Sequence, residues 1–377
     1  MDFDPEIALR YAASIARPRR VGCGEDEVVA NEIADRLQQF GYRVERQPFR
    51  FSTAPNVVLT LNILIGLICV LIVLLARNSL PALSIGAAIA IVLLLILFSP
   101  INRRVQSAAL KDAGASGSLT ANLIARLPLA DDPSLPHLYL VAHYDSKSQR
   151  LPLVVRIALF VVAIAASLIV ASLTLLNAPM SIITVAGIAA IAAGLPLLFL
   201  DVGNTSPGAI DNASSVGLVL HLAECLAQRD DLRDKLRLTI LIPSAEEMMV
   251  MGATAFVQAH ERQLRRPSRL HILNFDGIGI DGDLYWTGRS AARLMRHVQQ
   301  ACHDLRLPLR HFRFVGAMFD HMPFAQRGFD AVTLMAIGPA SRSVHTPGDS
   351  IDKLHVRGFD QAGQVTLRVI EALATEA

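Results

Sequence analysis

Hydrophobic and polar positions follow two regimes along this chain. In residues 57–76, 82–98, 157–178 and 181–200 the apolar run is continuous and no side chain is charged. Elsewhere the pattern is periodic. Ile7, Tyr11, Ala12 and Ile15 lie on one face of a helix, residues 26–40 carry a second amphipathic pattern, and Gly41 is placed to close it. Residues 42–51 alternate as a strand does. Further strands are expected at 119–126, 137–142, 236–242, 270–275, 309–314 and 331–336, and helices at 213–228, 253–262, 291–305 and 358–375. Strands alternating with helices argue an α/β fold, a mixed β-sheet sandwiched by helices.

A helix needs about 20 apolar residues to cross a hydrocarbon layer of about 30 Å. One water-soluble core does not need four uncharged runs of that length, so they read as two transmembrane hairpins. The expected organisation is a single domain, built from residues 1–55, 101–150 and 201–377, with hairpins inserted at 56–100 and 151–200. The opening residues are acidic and lack an apolar h-region, so no signal peptide is expected.

Composition agrees. Hydrophobic residues make up 52% and charged residues 18%, against about 25% charged in an ordinary soluble domain. A formal net charge of +2 is too balanced for a nucleic-acid partner. Cys23, Cys69, Cys225 and Cys302 form no C-x-x-C pair, which argues against a zinc–thiolate site or a disulfide framework.

Five short segments set acids or histidines just beyond an apolar strand or at a helix start: His143 and Asp145; Asp211; Glu246 and Glu247; Asp276; and His345. Ligands of open α/β sheets bind outside the carboxyl ends of the strands, so these side chains are expected to converge. Two imidazoles and several carboxylates make a nitrogen/oxygen set suited to Zn²⁺, with Mn²⁺ or Co²⁺ compatible on ligand type. Five ligands exceed one open tetrahedral zinc and suit two ions about 3.5–4 Å apart with a shared carboxylate. Taken singly each segment is weak, because a histidine after a strand is more often structural. The ordered set is what carries the chemistry.

That set resembles the M28 metallopeptidases, zinc aminopeptidases of the phosphorylase/hydrolase-like fold. The family's H-x-D, D-N, E-E, N-x-D and H-T-P-x-D segments stand here as H-Y-D, D-N-A-S, A-E-E, N-F-D and H-T-P-G-D. Residues 17–44 are also similar to its entry helices. The resemblance implies that His143 and Asp276 hold one zinc, that Glu247 and His345 hold the other, and that Asp211 bridges them. It implies Glu246 as general base toward a water whose pKa zinc lowers to about 7, and Asp145 as the carboxylate that orients His143. A cis peptide after Asp211 is expected on the same ground. A further segment, F-D-H-M-P-F, is similar to the family's S-D-H-x-x-F and would bring Asp320, His321 and Phe324 to the substrate pocket, with Phe319 in place of a small residue.

The resemblance implies a membrane-anchored aminopeptidase acting on peptide N-termini, with two zinc ions as cofactors and peptides and the lipid bilayer as partners. A-H-Y-D-S-K and D-H-M-P-F-A-Q-R-G also resemble the glutaminyl cyclases, an acyl-transfer branch that uses one zinc. A non-catalytic receptor or scaffold would have lost ligands, and none is missing. A transporter would want polar residues along its spans, and these offer little beyond Asn62 and a few Ser/Thr. Arg43, Arg46, Arg50, Arg103, Arg104, Lys111, Lys147, Arg150 and Arg156 flank the spans on one side, and only Arg77 lies in the inter-helix turns. Such a bias predicts that the catalytic domain and both termini are cytoplasmic, in a bacterial-type inner membrane.

Overall fold

The computed structural model describes residues 3–128, 132–267, 269–288, 293–313 and 317–376. The chain divides into two compact units. One comprises Met1–Phe51, Gly117–Ser148 and Gly203–Ala377, and the other Ser52–Ser116 and Gln149–Val202.

In chain order, the elements begin with α1 (Pro5–Ile15), α2 (Glu25–Gln39), β1 (Arg43–Phe51), α3 (Ala54–Ala76) and α4 (Pro81–Lys111). Next come β2 (Ser118–Arg126), β3 (His137–Val141), α5 (Leu153–Leu175), α6 (Met180–Gly194) and α7 (Ser214–Ala227). The remainder is β4 (Arg237–Ile242), α8 (Met251–Leu264), β5 (Leu270–Asp276), β6 (Asp283–Gly288), α9 (Arg293–Asp304), β7 (Leu309–His311), α10 (His321–Ala325), β8 (Asp330–Ile337) and α11 (Val356–Thr375).

The first unit holds one eight-stranded mixed sheet in the order β1-β2-β4-β3-β5-β8-β6-β7. Its four central strands, β4, β3, β5 and β8, are mutually parallel. Antiparallel β2 and β6 flank them. Strands covered on both faces read as near-continuous apolar runs, and all five residues of β3 are buried. Ile124, Val141, Leu241, Phe256, Ile272 and Phe324 pack in one core cluster. Each parallel strand must end at the same edge, and the acids and histidines singled out in the sequence follow those ends. At the start of α1 the Asp4 carboxylate accepts the Glu6 N–H as an N-cap. Gly41 takes φ +90°, the left-handed conformation that stops α2.

The second unit is a bundle of α3, α4, α5 and α6, the last extended by a 3₁₀ turn, Leu195–Phe199. All four are long and apolar enough to cross a membrane. Val70, Val73, Ile91, Val170 and Ile183 face inward, while Leu75 and Leu176 are 74% and 77% exposed. Surface that apolar is uncommon on water-soluble monomers. At one end of the bundle the Arg77 guanidinium donates to the carbonyls of Thr174 and Ala178 and to Asn177 Oδ1, joining the turns of the two hairpins.

Several boundaries differ from the sequence reading. Strand β6 was not expected. Of the strand expected at 309–314 only Leu309–His311 pairs, and residue 314 lies outside the described residues, as do 291 and 292 of the helix expected at 291–305. The second apolar helix does not stop at residue 98 but runs to Lys111 through Pro100. Proline removes one N–H, but the following I-N-R-R-V-Q-S-A-A-L-K is rich in good helix formers.

Candidate metal centre

The site is assembled at the carboxyl edge of the central strands. Beyond the end of β3, Ala142 N–H donates to Leu241 O and Tyr144 N–H to Pro243 O, so the chain stays zipped to β4 long enough to set His143 beside Glu246. Asp276 is the last residue of β5. His345 lies in the turn after β8 with φ +64°. Asp211 heads α7, and the Asp211–Asn212 peptide is cis, as the resemblance implies. Ala245, Met249 and Val250 all have left-handed φ around the Glu246–Glu247 pair. For a β-branched residue such as Val250 that conformation is a true outlier, and such outliers cluster at functional sites.

These turns bring the expected residues together. Ligand atoms of His143, Glu246 and Asp276 lie within 4.8 Å of one another, and so do those of Asp211, Glu247 and His345. Asp211 stands between the two sets, with Oδ1 3.2 Å from His143 Nε2 and Oδ2 3.0 Å from His345 Nε2. His345 Nε2 is also 3.0 Å from Glu247 Oε1. Glu246 Oε2 lies 3.8 Å from His143 Nε2.

Asp145 does more than the sequence suggested. Its Oδ1 accepts the Glu246 N–H at 3.1 Å and its Oδ2 the Glu247 N–H at 3.2 Å. His143 Nδ1 lies 3.2 Å from the Asp145 main-chain oxygen and 3.5 Å from Oδ1. One residue thus meets the imidazole with its main-chain oxygen and holds the acidic pair with its carboxylate.

Three more residues of the site were not singled out in the sequence. Asn212 donates from Nδ2 to Phe275 O and accepts the Gly277 N–H at Oδ1, bracketing Asp276 on both sides. Asp349, the last residue of H-T-P-G-D, accepts the Ile210 N–H at 2.6 Å and the Asp211 N–H at 3.4 Å. Lys147 Nζ lies 2.6 Å from Glu247 Oε2, which leaves Oε1 turned toward His345. The D-N and H-T-P-G-D segments hinted at the first two. Lys147 stood in the sequence only as the end of A-H-Y-D-S-K and as a span-flanking cation, because its partner is a hundred residues away.

The F-D-H-M-P-F segment splits. Phe324 is fully buried, with its ring 5.9 Å from that of Phe256. It packs within the apolar core cluster. His321 is buried too, and its Nδ1 is bonded to Thr333 Oγ1 at 2.7 Å, which accounts for it as a core histidine. Asp320 alone faces the acids. Burial, then the neighbouring carboxylates of Asp145, Glu247 and Asp211 acting against His143, push its carboxyl up to about 7.

The electrostatics separate the remaining groups. Burial, reinforced by Glu247, Asp320 and Asp276 and opposed by His143, holds the Glu246 carboxyl well above the usual carboxylate range. Asp276 is raised for the same reasons, burial first and then the charge of Asp211. Burial would raise Asp211 as well, but the two imidazoles outweigh it and hold it well below its ordinary value.

The donor set fits a metal. His143 Nε2, Asp211 Oδ1 and Glu247 Oε1 are buried and make no hydrogen bond among the described residues. Buried polar atoms are nearly always satisfied. His143 Nε2 and Asp211 Oδ1 lie 3.2 Å apart, and Glu247 Oε1 lies 3.0 Å from His345 Nε2. Lone pairs set so close are satisfied by a cation, and imidazole with carboxylate is a zinc-type set.

An α/β sheet with histidines and carboxylates gathered at its carboxyl edge defines a candidate metal centre of the kind metalloenzymes carry. Residues 122–370 match the family model of Peptidase family M28, and the chain belongs to that family. A search of curated protein sequences finds no match. Among solved structures, a zinc aminopeptidase from Bacillus subtilis, BSAP, is similar at TM-score 0.58 and 14% identity, over 98% of this chain and 95% of that one. A Zn-dependent exopeptidase from Parabacteroides distasonis gives 0.59 and 16%, over 98% of each chain. Glutaminyl cyclase from Porphyromonas gingivalis gives 0.56 and 14%, again over 98% of each. At these identities the likeness concerns the fold.

Proposed function

We propose that the protein is a membrane-anchored, zinc-dependent aminopeptidase. The observation that carries this reading is Asp211 lying between His143 and His345, each of which belongs to its own cluster of carboxylates. His143 and Asp276 would hold one zinc, Glu247 and His345 the second, and Asp211 both. When bound, the metals supply Lewis acidity toward a peptide carbonyl and toward water.

The protein's own residues do the rest. Asp145 and Asn212 hold the ligand-bearing turns, and Asp349 holds the main chain of Asp211. Glu246 is the buried carboxylate left over from coordination, with a raised affinity for protons. That suits a general base that takes the proton of the attacking water and returns it to the leaving amine. Aminopeptidases and an exopeptidase among the structural neighbours support this choice of reaction. The apolar helices of the second unit would anchor the protein in a bilayer, with the catalytic unit cytoplasmic.

A second reading, glutaminyl cyclisation, is favoured by the H-Y-D-S-K segment and by the cyclases of the same fold. It needs a single zinc. Elemental analysis of the purified full chain, alongside hydrolysis of a panel of aminoacyl-arylamides, tests the proposal. Two zinc ions per chain with arylamide turnover are expected, and one ion without turnover would overturn it.

A further inference from the structure

Arg19 has no exposed surface and heads the fully buried side chains of the described residues by volume. Burying a cation is costly unless its donors are satisfied, and the way these are satisfied is informative. Nε donates to Tyr144 O, Nη1 to Arg17 O and Pro207 O, and Nη2 to Gly208 O. Its main-chain N–H donates to Ser146 Oγ at 3.1 Å, and its carbonyl accepts the Ser146 N–H at 3.4 Å.

Apart from the neighbouring Arg17 carbonyl, those acceptors lie in two segments. Tyr144 sits between His143 and Asp145, and Gly208 is three residues before Asp211. In the sequence the whole of the second apolar hairpin is inserted between these segments, so no short stretch of chain ties them together. Non-covalent sutures take its place. The Thr205 N–H donates to Ser148 Oγ at 3.0 Å, the Ser146 hydroxyl to Ser206 O at 3.4 Å, and the Arg20 N–H to Asn204 Oδ1 at 2.9 Å. Arg19 is at the centre of them and nearest the acids. Space for it is reserved by Gly208 (φ +59°), where a Cβ would come 3.0 Å from Arg19 Nη1 and 2.6 Å from Asp211 O.

We propose that Arg19 is a positioning residue for the metal centre. By holding the carbonyls of Tyr144, Pro207 and Gly208 on one rigid guanidinium, it sets the separation of His143 and Asp211 across the interruption made by the hairpin. An ammonium cannot reproduce this, because the planar fork offers five donors in fixed directions. The proposal rests on the reading of His143 and Asp211 as metal ligands.

The test uses the full chain in detergent. Zinc affinity is measured by competition with a chromophoric chelator, and the ligand field by the absorption spectrum of the Co²⁺-loaded protein. The melting temperature of the metal-free protein reports folding. Arg19→Lys and Arg19→Gln should bind zinc about 10–100-fold more weakly and shift the Co²⁺ spectrum. A merely structural role would lower the metal-free melting temperature but leave affinity and spectrum unchanged, and that result would overturn the proposal. Should neither variant fold, Gly208→Ala decides. It keeps Arg19 but presses on the clamp, so weakened zinc binding is expected and unaltered binding contradicts the proposal. If the unaltered chain binds no zinc, the metal-centre reading itself fails and takes this one with it.

Discussion

Glu246 and Glu247 are neighbours in sequence yet sit under opposite pressures. Burial favours the protonated form of both. At Glu247 the charges of His345 and Lys147 outweigh it and hold the carboxylate ionised, whereas at Glu246 like charges add to it. Two adjacent carboxylates are thereby set apart by environment alone, as the proposed roles of ligand for Glu247 and base for Glu246 require. Glu246→Gln should retain its zinc and lose at least about 10²-fold in kcat, read by metal analysis and turnover on the same sample. Full turnover at full occupancy would remove Glu246 as the base. At this scale the sequence was legible wherever residue type declares chemistry: His143, Asp211, Glu246, Glu247, Asp276 and His345 all reach one place. It was illegible where a residue acts on main-chain atoms. Arg19, Asn212 and Asp349 hold carbonyls and N–H groups far along the chain, and no local pattern announces such a partner. Phe324, at a motif position, packs in the core.

Among the elements, periodicity revealed most of the fold because buried parallel strands and uncharged helices leave strong patterns. Strand β6, D-L-Y-W-T-G, was missed because only Leu284 and Trp286 of its six residues are buried and it leaves no continuous apolar run. The extension of α4 was missed because Pro100 looks like a stop. Within the bundle, α6 presents Gly187 and Gly194, one heptad apart, to α3. A Cβ on Gly187 would lie 2.8 Å from the Leu74 methyls, and one on Gly194 would lie 2.7 Å from a Leu67 methyl. Small residues let apolar helices approach closely. Gly187→Val should lower the thermal stability of the detergent-solubilised bundle, and Leu74→Ala in the same chain should restore part of the loss. Additive losses in the double variant would contradict the contact, because neighbours in direct contact do not add.

For the whole molecule, orientation and reaction are the open predictions. The charge bias that suggests a cytoplasmic catalytic unit is weaker than a count of residues implies. Arg46 is paired with Glu27 and Lys147 with Glu247, so both serve the folded unit. Arg103, Arg104 and Lys111 remain on the extension of α4, and Arg77 is the single cation of the inter-helix turns. A reporter active only outside the cytoplasm, fused to the C-terminus, should therefore stay silent, and a strong signal would invert the topology. The central claim is the chemistry of the site, and one substrate separates its readings. The zinc-loaded full chain is incubated with a short peptide beginning with glutamine, and the products are resolved by mass spectrometry. An aminopeptidase centre releases free glutamine and leaves a peptide one residue shorter, which is the result expected here. A peptide of unchanged length that has lost only ammonia would mean cyclisation, and would contradict this account.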